Sequence, residues 1–199
     1  MKQNLTITVL AFFAVLFSSA QTGKAAKEYL NVPGPISLNK NSFNLSWTSH
    51  PSANYYKQEY ITPGDNIEKY KNMISVELLM STATAADLAN AKMNELKQLK
   101  TTNPLINYEI FQKNGEIILD FLISQNAANG GKVLIIERNV YRYKNFTGKN
   151  GQKGVMLFGA SVSAYEKDVD TFLSLLKKNK AVLLNAVAAF TLPQISVKE

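Results

Sequence analysis

The sequence predicts an α+β domain in which helices pack against an antiparallel β-sheet built around a meander. Four segments between residues 106 and 164 alternate apolar and polar side chains between turn sequences, as meander strands do. Two other segments, near residues 84–100 and 166–190, repeat apolar residues at helical spacing. The chain has 199 residues, 46% of them hydrophobic and 19% charged, so we expect a single domain with a sizeable core.

The amino terminus predicts an export signal. Lys2 gives it a short positive start, residues 5–17 are apolar except for two threonines, and Ser18-Ser19-Ala20 ends it with small residues. The apolar stretch is shorter than the roughly 20 residues of a spanning helix, so it predicts a signal peptide over residues 1–20 rather than an anchor. After cleavage we expect no integral membrane span, and we expect the protein in the periplasm or outside the cell.

Composition narrows the class of protein further. The chain has no cysteine, which excludes structural disulfides and a lipid-modified amino terminus, and which suits a bacterial periplasm. The formal charge is +7, and it becomes +6 when Lys2 leaves with the signal, since 21 basic residues then face 15 acidic ones. This charge permits an anionic protein or ligand as partner without specifying one, and we do not expect nucleic acid.

The mature chain is expected to divide into a lead-in segment (residues 21–41), the α+β domain (42–192) and a tail (193–199). Pro33-Gly34-Pro35 restricts the lead-in segment to short edge strands. The domain is predicted to open with two strands of alternating apolar residues, joined at the His50-Pro51-Ser52 turn. The first elements are therefore β-structure.

The remaining elements follow from turn and cap signals. A helical turn is predicted over residues 67–74, a strand follows it, and Thr84 is expected to cap the helix that begins there. Asn114-Gly115 predicts a tight hairpin turn between the first two meander strands, and Asn129-Gly130-Gly131 predicts the next turn. Two helical pieces are expected to close the domain.

Residues 43–184 contain this order of elements, together with the stretch YITPGDNIEKY at residues 60–70. In both respects the chain resembles the PsbP-like α/β/α sandwich. That superfamily includes extrinsic subunits of the oxygen-evolving complex and a nuclear import factor, so the resemblance implies a binding or assembly role. It transfers no functional residue to this sequence.

The sequence lacks the common catalytic motifs. It has no P-loop, no glycine-rich dinucleotide fingerprint, no His-Glu-x-x-His and no Gly-x-Ser-x-Gly. His50 is the single histidine, so a hydrolase would have to use it as the base, with Glu59 or Asp65 as a partner. A solvated loop histidine is the simpler interpretation. We therefore predict no catalytic residue, no metal site and no cofactor.

Two carboxylates are candidates for a glycosidase pair. Glu116 and Asp120 fall on one face of a predicted strand. Four residues along a strand place them roughly 13 Å apart, too far to flank one glycosidic bond. Solvated strand charges are the favoured interpretation.

A basic strand gives the clearest candidate binding site. Arg138, Arg142 and Lys144 share one strand face, and residues 132–153 carry six positive charges against the single negative charge of Glu137. Forked guanidinium groups bind carboxylates and phosphates, so we predict that an anionic partner or ligand docks here. The alternative is an edge strand whose charges block edge pairing.

Aromatic residues near the start of the domain form a second candidate surface. The group consists of Trp47, Tyr55, Tyr56 and Tyr60, and His50 lies within it in sequence. Flat rings of this kind bind sugars, although aromatics are also favoured in strands for packing alone. Trp47, His50 and Tyr56 are therefore the candidate ligand surface.

Three function classes remain after these exclusions. An exported, non-catalytic binding or assembly protein of unknown partner is favoured, because no catalytic constellation is present. The alternatives are a small-ligand or glycan binder that uses the aromatic group and a hydrolase that uses His50.

Overall fold

The computed structural model describes residues 26–128 and 131–197. Four predicted features lie wholly or partly outside these residues. They are the signal peptide, the first five residues of the lead-in segment, Asn129 and Gly130 of the second meander turn, and the last two residues of the tail.

Eight antiparallel strands form one curled sheet with the shape of a half-barrel. In chain order they are β1 (Ile36–Leu38), β2 (Asn41–Ser52), β3 (Tyr55–Ile61), β4 (Asn72–Met80), β5 (Asn107–Lys113), β6 (Glu116–Asn126), β7 (Val133–Thr147) and β8 (Lys153–Tyr165). Their order across the sheet is β1-β2-β3-β4-β8-β7-β6-β5, so the last four strands follow one another as a meander that joins β4 through β8. The meander and the first four strands thus become one continuous sheet.

The predicted α+β fold, with helices packed against a meander, was wrong in the balance of its elements. The fold is dominated by strands, which contain 46% of the described residues, whereas the helices contain 24%. One reason is that the helical turn expected over residues 67–74 does not form. The Asp65 carboxylate accepts hydrogen bonds from the amides of Lys71 and Asn72, at 3.1 and 3.4 Å, and this loop leads directly into β4.

Two helices, α1 (Ala85–Lys100) and α2 (Val169–Ala189), lie on opposite faces of the sheet. A short 3₁₀ helix (Glu166–Asp168) precedes α2. Helix α1 packs on the face that carries Leu119, Tyr143 and Leu157, and α2 packs on the face that carries Val140 and Phe158. This division follows from the alternation of side chains along β6, β7 and β8. None of the helices in the described ranges is long and apolar enough to cross a bilayer.

A local signal sets the start of α1, and α2 is kinked. Thr84 caps α1 as expected: its hydroxyl accepts from the amide of Asp87, and the Asp87 carboxylate accepts from the amide of Thr84. Helix α2 joins the two helical pieces predicted from the sequence, with a kink at Asn179, where the backbone leaves helical geometry. Its second half runs along β7.

The segments that flank the predicted domain contribute to its core. Leu30 of the lead-in segment is fully buried, and its amide and that of Tyr29 donate to Oε1 of the buried Gln58. In the tail, Ile195 is buried and the amide of Ser196 donates to the carbonyl of Leu30. The two ends of the described chain therefore meet on the α2 side of the sheet.

Candidate binding surfaces on the two faces of the sheet

Arg138 lies under α2 in a buried ion pair. Its guanidinium forks onto Asp120 on β6, with Nε 3.0 Å from Oδ1 and the second nitrogen 2.7 Å from Oδ2. The same group donates to the carbonyl of Lys180, next to the kink in α2, at 2.5 Å. Only 5% of Arg138 and 6% of Asp120 is exposed, so this guanidinium holds β6, β7 and α2 together.

Arg142 forms a similar set of contacts at the carboxyl end of α2. Its side chain binds Glu116 at 2.6 Å and donates to three carbonyls of the last turn, among them those of Val187 at 3.0 Å and Phe190 at 2.8 Å. A cation at a helix carboxyl terminus satisfies carbonyls that have no partner within the helix. Lys144 also reaches Glu116, at 3.1 Å, and its side chain is 51% exposed.

The predicted basic strand therefore faces α2 rather than open solvent along most of its length. Arg138, Arg142 and Lys144 do share one face of β7, as the sequence indicated, but the two arginines are occupied by carboxylates and helix carbonyls. The two acidic partners are Asp120 and Glu116, which lie too far apart for glycosidase chemistry. Their interpretation as solvated strand charges was wrong, because each is bound by an arginine and the side chains are only 6% and 18% exposed. Docking of an anionic partner on this strand stays a prediction. Of the three basic residues, Lys144 is the exposed one.

The aromatic group predicted as one ligand surface is divided between the two faces of the sheet. Tyr60 is fully buried on the α2 face, where its hydroxyl donates to the carbonyl of Val32 at 2.5 Å. Tyr56 lies on the same face as Tyr60. The strand register pairs Trp47 with Glu59 and places both Trp47 and Tyr55 on the α1 face. The four aromatics thus cannot act as one platform.

His50 belongs to a partly exposed aromatic stack. Its ring lies 4.1 Å from that of Tyr56, nearly parallel to it, and 5.4 Å from that of Tyr29. Its Nδ1 is 2.9 Å from the carbonyl of Tyr55. Within the described residues no hydrogen bond joins His50 to Glu59 or Asp65, so the hydrolase alternative gains no support from its geometry.

Sequence reasoning missed a cluster of polar side chains on the α1 face, beside the helix, where β3, β4, β8 and β7 lie next to one another. We call it the polar cluster, and it consists of Tyr55, Lys57, Glu59, Tyr70, Ser75, Glu77, Glu137, Asn139, Tyr141, Ser161 and Ser163. The strand register places these residues in adjacent rows across the four strands, with Tyr70 in the loop before β4.

One end of the polar cluster is an ion-pair network. The Lys57 ammonium lies 2.7 Å from Glu59 and 3.7 Å from Glu77, and the Tyr55 hydroxyl donates to Glu77 at 2.6 Å. Between 13% and 27% of the three charged side chains is exposed, so these groups are recessed but reachable by solvent. The network is therefore in partial contact with solvent.

The other end of the polar cluster surrounds Glu137. Its carboxylate accepts hydrogen bonds from Tyr70, from Ser163 at 2.8 Å and from Asn139 at 2.9 Å. Ser161 in turn donates to Asn139 at 2.6 Å. All of these donors are neutral, so the charge of Glu137 is hydrogen-bonded but has no cation beside it in this network.

The centre of the polar cluster holds a hydroxyl without a partner. Ser75 is 2% exposed, and its Oγ makes no hydrogen bond to any described residue. Gly159 lies opposite it, and a Cβ added there would come within 2.4 Å of Ser75 Oγ and 3.0 Å of the Tyr141 ring. Only glycine leaves the room that this hydroxyl and this ring occupy.

The tyrosines of the polar cluster are held in their protonated form. The cluster as a whole carries excess negative charge. Burial first, and then the charges of Glu77 and Glu137, hold the pKa of Tyr141 well above its usual value. Burial lowers the pKa of Lys57, but Glu77 and Glu59 outweigh burial and raise it above its usual value. Three carboxylates and one ammonium leave an excess of two negative charges.

Comparison with known proteins identifies the family. Residues 30–192 match the model of an uncharacterized protein family, and the chain belongs to that family. No curated protein matches the chain. The family match carries no link to the PsbP-like proteins, so that resemblance stays a prediction. Among the described residues, no group of three or more His, Cys, Asp or Glu side chains is arranged to hold a metal ion.

Proposed function

We propose that the protein is a non-catalytic binding protein and that the polar cluster binds a small organic cation. The observation that carries this proposal is the buried Ser75 hydroxyl, which lacks a partner at the centre of a surface with excess negative charge. Buried polar groups are nearly always hydrogen-bonded, and a bound ligand would give this hydroxyl a partner, directly or through an ordered water.

The charge of the polar cluster favours a cation over an anion or a neutral ligand. Glu59, Glu77 and Glu137 supply acceptors for an ammonium or guanidinium group, and Lys57 balances only one of their charges. The rings of Tyr55 and Tyr141 supply π faces, which attract organic cations when water is excluded. Hydroxyl oxygens such as Ser75 Oγ accept hydrogen bonds from N–H donors.

Binding is favoured over catalysis because the tyrosines of the cluster are not suited to move a proton near neutral pH. The pKa values of Tyr55, Tyr70 and Tyr141 are all raised, by burial first and by neighbouring glutamates next, so these hydroxyls stay protonated. We propose that binding takes place in the periplasm or outside the cell. Amino-terminal sequencing of the exported protein would test this location, and a start at Gln21 is expected.

Titration calorimetry with spermidine, arginine and choline tests the ligand class, with glucose as the neutral comparison. We expect at least one of the cations to bind, with an affinity that falls as salt is added. Glu77→Gln and Ser75→Ala should each weaken that binding. Tyr56→Phe is the control, because Tyr56 lies on the opposite face of the sheet.

Other outcomes of the titration would refute the proposal or favour an alternative ligand. If none of the cations binds, or if the cluster variants bind as tightly as the parent while folded, the proposal is wrong. If glucose binds and the cations do not, the small-ligand or glycan alternative is favoured, with Trp47 and Tyr55 as the aromatics on this face.

A further inference from the structure

Strand β5 is an open edge of the sheet. It pairs with β6 alone, and no backbone hydrogen bond joins its outer side to another segment of residues 26–128 and 131–197. Six of its seven residues are exposed, including Ile110 at 44% and Phe111 at 39%. The opposite edge, β1, has only three residues, and two of them are buried. A strand edge of this kind is a template for pairing with another chain.

The hairpin geometry decides which backbone groups point outward from β5. Asn114 and Gly115 both have positive φ and form a two-residue turn, so Lys113 and Glu116 exchange hydrogen bonds across it. Hydrogen-bonded and non-hydrogen-bonded positions then alternate along the strand. The amides and carbonyls of Tyr108, Ile110 and Gln112 are therefore the ones directed away from β6.

The side chains of β5 complement a second copy of the same strand. In an antiparallel pair centred on Phe111, the two Phe111 rings lie opposite each other, and each Glu109 lies opposite a Lys113. All three residues are on one face, since they are two positions apart. Glu109 already contacts Lys180 of its own chain, and its side chain remains 46% exposed.

This register also satisfies the outward backbone groups. Centring the pair on Phe111 places Ile110 opposite Gln112, and both of these residues direct their amides and carbonyls outward. Centring it on Glu109 would place the two glutamates opposite each other, which is unfavourable. Backbone hydrogen bonding permits both registers, and charge favours the one centred on Phe111.

We propose that two copies of this chain associate through β5, in an antiparallel pair centred on Phe111, so that their sheets become continuous. The interface is isologous, because the same strand serves both subunits. It is also small, which predicts a dimer that depends on protein concentration. The proposal is independent of ligand binding, since the polar cluster lies on the other strands.

Sedimentation velocity across a concentration series tests the dimer, with charge-reversal variants to test its register. Glu109→Lys and Lys113→Glu each turn two attractive pairs into repulsive ones, so each should weaken the dimer roughly tenfold. The double variant exchanges the two charges and should restore dimerisation. Lys113→Glu leaves the contact between Glu109 and Lys180 in place, so it serves even if Glu109→Lys fails to fold.

Amide hydrogen exchange provides a second measurement of the register. At high protein concentration the amides of Ile110 and Gln112 should become protected, while that of Phe111, already bonded to β6, should change little. A parent protein that stays monomeric throughout overturns the proposal. So does a folded double variant that fails to recover, or dimerisation that the single variants leave unchanged.

Discussion

The buried ion pair between Asp120 and Arg138 allows a quantitative test of how α2 is held on the sheet. We consider three variants: Asp120→Leu, Arg138→Met and the double variant. Each single change leaves one charged group buried without its partner, since both residues are about 95% buried. Removing one member of such a pair typically costs about 3–5 kcal/mol.

The double variant should be much less damaging than the sum of the two single variants. Two apolar side chains of similar volume often replace a buried ion pair at little cost. What remains is the loss of the hydrogen bond from Arg138 to the carbonyl of Lys180, worth about 1 kcal/mol. The coupling free energy between the two positions should therefore be about 3 kcal/mol or more.

Urea unfolding measures these free energies directly, and thermal unfolding supports them. For a domain of this size, a loss of about 3–5 kcal/mol lowers Tm by roughly 6–20 °C. Glu95→Ala is the matched control, because the side chains of its ion pair with Lys92 are 22% and 26% exposed, against 6% for both members of the Asp120–Arg138 pair, so its removal should cost less. If Asp120→Leu costs no more than this control, the pair is not buried in solution and the reasoning fails.

Two further predictions concern packing and pH. Gly154→Ala should destabilise the protein by about 1–3 kcal/mol, because the added Cβ would lie 2.5 Å from the backbone oxygen of Leu79. A variant as stable as the parent in urea would contradict the close approach of β4 and β8. Partial burial raises the pKa of Glu116, but Lys144 and Arg142 outweigh burial and lower it below the usual 4.5. The stability that Glu116 contributes is therefore complete above pH 4.5 and is lost as the pH falls through the lowered value. Unfolding free energies measured against pH should fall less steeply below 4.5 for Glu116→Gln, and an unchanged slope would refute the ion pair.

Features that depend on neighbours in sequence could be predicted in advance. The turn at Asn114-Gly115 forms because both positions adopt positive φ, and Thr84 caps α1 because its side chain reaches the first turn. The spacing of Arg138 and Arg142 correctly placed them on one strand face. It could not show that α2 covers that face, because helix docking depends on residues about 40 positions later in the chain.

The polar cluster could not be predicted, although each of its strands carries a visible signal. Tyr55, Lys57 and Glu59 alternate along β3, and Ser75 and Glu77 alternate along β4, as polar residues on one face do. The sequence gives no reason to join them to β7 and β8, which begin about 60 and about 80 residues after the start of β4. That join depends on β4 pairing with β8.

The sequence by itself determined the Asn114-Gly115 turn, the helix cap, the strand periodicity and the absence of cysteine and of known catalytic motifs. These depend on residue type and on contacts within a few positions, where backbone preferences act directly. Only the tertiary structure decided the order of the strands, the dominance of the sheet over the helices, and the meeting of Ser75 with Gly159 and Tyr141. Those contacts depend on which strands become neighbours, and that choice is set by burial over the whole chain rather than by any local pattern.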